Sequence, residues 1–597
     1  MSSLGLGHAT RTLPVIWEYI NRGYKITVIS SGNALSMLES ELHGVERVTF
    51  RSMSDYPALE RGVGWRLYWY LLVDLYATWK LIQKEHRELK QIEQEYDFIF
   101  SDGKYGYYSS RRPSFILTHQ IAFMPPKFFR HFLQLTERVN LFALKKFDVI
   151  LIPDFPDAEY NLSGQLSHSR HLQGCEHSFV GLLSSYQRLS VPRDIDYLFI
   201  ISGYLLEHKE AFIRKLVDQA SNLPGKKVFI LGQQGAETIP KDLGHGEDVV
   251  LHPMVDGQER QKLFNRAKRV VSRAGYTTIM DLVEHDKKGL LIPTPNQTEQ
   301  EYLAQYLAAE SFFATANQDD RLELLPALTR CEATTSFVPP WRTVDSVRKI
   351  HNSMKRYLKK QYISIIVPAH NEEAELAGTL NCLLQQNYPA NRYEIIVVEN
   401  GSTDATLQIA QDIGIRAAGD RNIRVLQSAR GVSVAKNVGL AATDPLSEWV
   451  VLCDADTHLA PDFLNQLNLF LVRQQGEPTV GTCSIGPRPD DSIYARLWFR
   501  AYDCIHRWTK TSYALQIAKT SIARSVGFHP GLQLAEDLTF IQECMEYGNF
   551  FFHNTDQAST STRRFEAFGY LRLSLRWAFE ALLPMRVKRS RSYRVVR

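Results

Sequence analysis

Short apolar runs alternate with helix-length segments along the whole chain, and this alternation restricts the fold more than any other feature. Residues 25–29, 97–101, 148–152, 198–201, 227–231 and 289–292 form one series, and 363–367, 394–398, 423–427 and 448–453 form a second. Such runs, spaced by helices, build βαβ units whose parallel strands are buried on both faces. At 597 residues the chain exceeds what one hydrophobic core supports, so three or four domains of ordinary size are expected.

Between the two series lies Phe337-Val-Pro-Pro-Trp341, then a basic, helix-like stretch over 344–360. Prolines stop regular structure, which puts the main boundary near residue 361. A weaker boundary near 190 divides the first series into two Rossmann-like halves. The expected domains are therefore 1–190 and 191–345, a linker at 346–361, a third domain at 362–570, and a basic tail at 571–597.

A content of 44% hydrophobic and 22% charged residues fits a folded α/β protein. The formal net charge of +4 disfavours nucleic acid as a partner. The cysteines number seven, without C-x-x-C spacing, so the reading is a reduced, cytoplasmic protein lacking a disulfide framework or zinc site. No run of about 18 apolar residues occurs. The nearest, 65–79, is interrupted by Arg66 and Asp74 and reads first as a buried helix, with a membrane-surface role as the alternative. The glycine-rich Ser3-Leu-Gly-Leu-Gly-His8 should follow a strand that this sequence does not contain, so a start further upstream is expected.

In the second series, the strand at 363–367 leads into Pro368-Ala-His-Asn-Glu-Glu373, and that at 394–398 into Glu399-Asn-Gly-Ser-Thr-Asp-Ala-Thr406. Ligands of open parallel sheets sit at the carboxyl ends of strands, where Glu372 or Glu399 can accept hydrogen bonds from a base or ribose. The next strand ends in Asp454-Ala-Asp456, two carboxylates able to share one hard divalent cation. Glu536-Asp537 opens a helical segment and supplies a carboxylate able to deprotonate a hydroxyl. Each piece alone is weak; their order makes them specific.

Together these residues resemble glycosyltransferase family 2, inverting enzymes of the GT-A fold, over about 362–570. The matching elements are the P-x-x-N-E loop (Pro368 to Glu372), the acidic loop from Glu399 to Asp404, Gly431-Val-Ser-Val-Ala-Lys-Asn-Val-Gly439, the D-x-D and the E-D pair. The resemblance implies a donor site at Pro368, Glu372, Glu399, Ser402, Asp404, Lys436 and Asp454. It further implies Mg²⁺ or Mn²⁺ on Asp454 and Asp456, with Asp537 as the base. Glu399 stands where the family has Asp, and Lys436 where it has Arg, which keeps the charge but loses the bidentate fork. A Q-x-x-R-W signature does not follow the E-D pair, so single transfers are expected rather than polymerisation. Arg563 and Arg564 match a late S-x-R-R segment and are candidates for the donor diphosphate.

In the first series, Gly5-Leu-Gly-His8 precedes a helix-like 9–21, a turn that lets backbone approach a ligand. Ser272-Arg-Ala-Gly275 opens a second helix beside Pro293-Thr-Pro-Asn-Gln-Thr-Glu-Gln-Glu301. These two ends resemble GT-B enzymes related to the lipid-linked N-acetylglucosaminyltransferases of family 28. That likeness implies His8 in acceptor activation and a metal-free donor site at Arg273, Gly275, Asp281, Gln297, Glu299 and Gln300. Asp102 and His119 follow strands of the acceptor-side half; for His119 a structural role is the stronger reading.

From Arg563 onward the chain carries ten Arg/Lys against Glu566 and Glu580. A basic amphipathic end suits a cytoplasmic membrane face and a lipid-linked acceptor; a helix closing the domain is the equal alternative. The leading expectation is a bifunctional transferase moving sugars from nucleotide donors to glycan or lipid-linked hydroxyls. The alternatives are one active GT-A module beside a non-catalytic GT-B-like scaffold, and nucleotidyl transfer.

Overall fold

A computed structural model describes residues 6–53, 65–125, 133–201, 209–232, 248–253, 255–417, 419, 422–532, 535–573 and 575, with backbone only at 65–75 and 209. The chain forms two compact units, Met1–Arg356 and Tyr357–Arg597, each α/β.

The first unit holds a six-stranded, all-parallel sheet built from Ile195–Ile200, Lys227–Ile230, Val249–His252, Ala267–Ser272, Lys288–Leu291 and Ala314–Thr315. Its strands are mostly apolar throughout because helices cover both faces, and Phe199 stacks on Phe229 at 4.1 Å within one face. N-terminal to it, the described strands form two parallel sheets. One pairs Ile26–Ser30 with Val48–Ser52; the other orders Ile99–Asp102, Ser114–Leu117, Val149–Ile152 and His177–Phe179. Among the described residues, the Rossmann-like half expected at 1–190 thus holds two separately paired sheets. The expected upstream strand, Ser3 and Gly5 lie outside the described residues.

The 65–79 segment is the start of a helix, Trp65–Ile92, on which Tyr76 and Trp79 are exposed. The expected buried helix is thus exposed at those two positions, while the side chains of 65–75 lie outside the described residues. No helix among the described residues is long and apolar enough to cross a membrane. The segment expected to link the modules is a helix, Thr343–Leu358.

The second unit has a seven-stranded sheet in the order Ile423–Gln427, Tyr393–Glu399, Ile363–Ala369, Trp449–Cys453, Leu515–Lys519, Pro478–Cys483, Asn549–His553. The first four strands are parallel, and every residue of the second, third and fourth is buried. Side chains alternate between faces: Ile363, Ile365 and Val367 enter one core, Ile366 the other with Ile396, Val450 and Leu452. A second, small sheet joins Thr457–Leu459, Ala558–Thr560 and Gly486–Pro487.

Candidate active sites

In the second unit, parallel pairing aligns Ala369 with Glu399, so the two polar loops leave the sheet side by side. Their polar atoms largely bind each other. Asn371 N donates to Ser402 Oγ at 3.1 Å, Thr403 N to Asn371 Oδ1 at 2.8 Å, and Glu372 N to Thr406 Oγ1 at 2.7 Å. Asp404 accepts from the Thr406 hydroxyl at 2.5 Å and from Glu373 N at 3.3 Å. Asn371 takes φ +55°, a left-handed conformation that Asn tolerates. Ser402 and Asp404, expected at the donor, are placed as fasteners of these loops. Pro368 is buried inside its strand opposite Val398, and buried Glu399 accepts from Ser402 N.

The charged centre forms at the neighbouring strand end. Arg563 donates to Glu372 Oε2 at 2.5 Å and to Asp456 Oδ2 at 3.2 Å. Strand pairing explains its arrival: Thr457 lies opposite Thr560, which carries the segment after Thr560 back alongside Asp456. Buried Lys436 reaches Asp537 Oδ1 at 2.5 Å and Glu536 Oε1 at 3.8 Å. Burial opposes its charge, yet Asp537, Glu536 and Asp454 hold the ammonium above its ordinary range. Asp454 is pushed up to about 7, first by burial and then by Asp456; Glu536 is pushed up to about 7 by burial and Asp537.

The G-x-x-x-A-K-N-x-G segment positions this centre. Gly439 lies so close to the central strand that a Cβ would meet Ile366 Cγ2 at 2.4 Å. Asn437 is tied twice to Phe528, donating to its carbonyl and accepting from its N–H, both at 2.7 Å. With the helix pressed onto the sheet and the 528 loop fixed, Lys436 faces the acidic pair.

Among the described residues, no three His, Cys, Asp or Glu side chains group closely enough to cage a metal ion. Asp454 and Asp456 are oxygen donors two residues apart at one strand end, a set compatible with a divalent ion that keeps waters and takes phosphate oxygens.

In the first unit, parallel strands bring the ends at Asp102 and Leu117 together, and with them Asp102 and His119. The helix Leu6–Asn21 adds His8 and Arg11, three apart on one face. Asp102 is wholly buried and receives His8 Nδ1 at 2.8 Å, Arg11 Nε at 2.8 Å and Thr12 Oγ1 at 2.7 Å. Burial works against its charge, but Arg11 and then His8 hold the carboxyl well below the usual range. A proton on His8 Nδ1, donated to Asp102, leaves the lone pair on Nε2. Gly103 makes room: its φ is +69°, and a Cβ there would meet His8 Cε1 at 2.8 Å.

His119 continues this array. Arg11 Nη1 lies 3.2 Å from its Nδ1, its Nε2 is 2.8 Å from Glu299 Oε1, and its ring stacks on Tyr276 at 4.2 Å. Burial drives the imidazole towards its neutral form, which suits Nδ1 accepting and Nε2 donating. Gln120 Nε2 donates to the other Glu299 oxygen at 2.5 Å.

The remaining expected donor residues follow neighbouring strand ends: Ser272 pairs with Leu291, and Arg273 donates to the Ile292 carbonyl at 3.3 Å. Gly275 caps the helix Tyr276–Glu284, and Gln297 caps Thr298–Ala309. Gln300 accepts from Thr294 N at 2.9 Å. Arg273 is buried over the Phe212 ring, and burial lowers it to about 10. Asp281 is buried, accepts from Ser184 Oγ at 2.5 Å, and is pushed up to about 7 by burial. A ribose hydroxyl would have to displace Ser184 to reach that oxygen. Arg11 lies in the Gly5–Arg11 segment that carried the family 28 resemblance, but neither it nor Asn437 was given a role from sequence; the i, i+3 spacing of His8 and Arg11 was the available signal.

Residues 209–333 match the glycosyltransferase family 28 C-terminal domain, and residues 364–507 match glycosyl transferase family 2. The chain therefore fuses a family 28 domain to a family 2 domain. Among curated relatives, it is 34% identical over 79 residues to glycosyltransferase AglE of Haloferax volcanii, covering 13% of this chain and 26% of that protein. It is 31% identical over 111 residues to the poly(ribitol-phosphate) beta-N-acetylglucosaminyltransferase TarS of Staphylococcus aureus, covering 18% of each. The matches thus span about a quarter or less of these relatives. Among solved structures, the Pyrobaculum calidifontis mannosyltransferase PcManGT with GDP-Man and Mn²⁺ aligns at 20% identity and a TM-score of 0.30, over 40% of this chain and 69% of that one. The calicheamicin glycosyltransferase CalG4 aligns at 13% identity and a TM-score of 0.39, over 58% and 91%.

Proposed function

We propose that the chain transfers sugars from nucleotide donors to hydroxyls of a glycan or lipid-linked acceptor, with an inverting, metal-assisted step in the second unit. The observation that carries this reading is the convergence of Asp454, Asp456, Glu536, Asp537, Lys436 and Arg563 beside parallel strand ends. Asp537 takes the proton of the acceptor hydroxyl as that oxygen bonds the anomeric carbon and the bond to the diphosphate breaks. Lys436 holds Asp537 in place. Arg563, now on Glu372 and Asp456, is poised to turn to the diphosphate that leaves. A divalent cation on Asp454 and Asp456 would neutralise the departing diphosphate.

In the first unit, His8 Nε2 is the base for a second, metal-free transfer, with Asp102 fixing its tautomer. One observation favours the alternative of a non-catalytic binding module there: Glu299 and Asp281, both expected at the donor, are already bound to His119, Gln120 and Ser184.

The test is release of nucleoside diphosphate from a panel of UDP-, GDP- and dTDP-sugars with Mn²⁺ or EDTA. It compares wild type with Asp537→Asn and His8→Ala. Turnover abolished by both EDTA and Asp537→Asn supports the second-unit assignment; full activity in Asp537→Asn refutes it. EDTA-resistant turnover lost in His8→Ala supports a second transferase. Donor bound in EDTA without such turnover supports the binding-module reading.

A further inference from the structure

The helix Ile493–Thr509 turns one face into the second unit and another outward. Inward, Phe499 packs on Phe565 at 5.3 Å, two residues from Arg563. Outward stand Ile493 at 75% exposure, Leu497 at 60% and Trp508 at 87%, with Tyr494 and Ile505 also exposed. At about 100° per residue these five cover an arc of roughly 120°. Arg496, Arg500 and Arg507, all exposed, form a row along one border of that arc, within about 40° of one another. Lys510 follows at the helix end, also exposed.

The face carries no balancing acid along the helix. Asp503 is half-buried, accepts from Ile485 N at 3.3 Å, and sits beyond the arginine row. Asp490, exposed, precedes the helix. An apolar stripe with a bordering cation row and an interfacial Trp matches the depth profile of a lipid surface: apolar groups enter the acyl boundary while guanidinium groups meet phosphates. Residues 576–597 do not complement this face by charge, since they carry seven Arg/Lys against one acid, Glu580. Tail and helix favour the same anionic partner.

We propose that the outward face of the Ile493–Thr509 helix docks on an anionic lipid bilayer. The inference stands apart from the catalytic reading, because binding to lipid needs no turnover. A bilayer held there would lie one helix away from the segment that delivers Arg563.

The test is co-sedimentation of the full chain with phosphatidylglycerol–phosphatidylcholine vesicles and with pure phosphatidylcholine vesicles. Leu497→Glu with Trp508→Glu, and separately Arg496→Glu with Arg500→Glu, are compared with wild type, and thermal melts check folding. Expected is wild-type binding to the anionic vesicles, weakened about tenfold or more by either pair and by added salt. If the apolar pair unfolds the chain, the arginine pair decides. Binding unchanged in both pairs would overturn the proposal and assign the contact elsewhere. No binding to either vesicle by wild type would also overturn it. So would a concentration-dependent dimer that Leu497→Glu with Trp508→Glu dissolves, since the face would then be a self-association surface.

Discussion

Single residues carry opposite electrostatic duties in the two units. Lys436 is a buried cation whose removal strands two acids, so Lys436→Met should destabilise the second unit by about 3 kcal/mol. Denaturant unfolding measures this, and Lys436→Arg should recover most of the loss. Asp281 is the reverse case, a buried acid whose neutral form is favoured. Its folded pKa lies above the ordinary carboxyl value, so its contribution is complete below about pH 4 and is lost as pH rises through about 7. Asp281→Asn should remove roughly 3 kcal/mol of this pH dependence between pH 5 and pH 8. Unfolding midpoints of wild type and variant at pH 5 and pH 8 would show it; parallel midpoints would reject it.

At the scale of elements, helix-to-sheet distance decides what a glycine is for. Gly439→Ala drives a methyl into Ile366 and should cost about 1–3 kcal/mol. Gly414 lies in the helix Thr406–Ala417 with Val425 Cγ2 at 3.4 Å from its Cβ position. There alanine meets a tight but yielding neighbour and restores helix propensity, so Gly414→Ala should stabilise by about 0.5 kcal/mol. Melting temperatures of the two variants should move in opposite directions. The segment holding Gly439 was recognisable in the sequence by its spacing, but its purpose was not, because close approach is a property of two elements together.

At the scale of the molecule, the two units have separate cores: the residues around Phe199 and Phe229 belong to the first, those around Ile363 and Ile366 to the second. Calorimetry should therefore resolve two unfolding transitions. Gly439→Ala should lower only one, and Gly103→Ala, which combines a positive φ with a contact to His8, should lower only the other. A single transition shifted by both variants would mean that the units fold as one.

Sequence alone determined the α/β class, because strands buried on both faces must read as continuous apolar runs whatever surrounds them. It also determined which acids end strands, since Asp454 and Asp456 follow an apolar run whose end marks the end of a buried strand. What it left open depended on pairing between distant segments. The opposition of Thr457 and Thr560 brings Arg563 to Glu372 and Asp456, and the register of Asp102 with Leu117 sets His119 near Arg11. Asp281 and Glu299 show the same limit: as sequence they are polar residues near a glycine-opened helix, and only packing gives them Ser184 and His119 as partners. Local spacing encodes the element and its polarity; which charge meets which is fixed by long-range contacts that one-dimensional order does not contain.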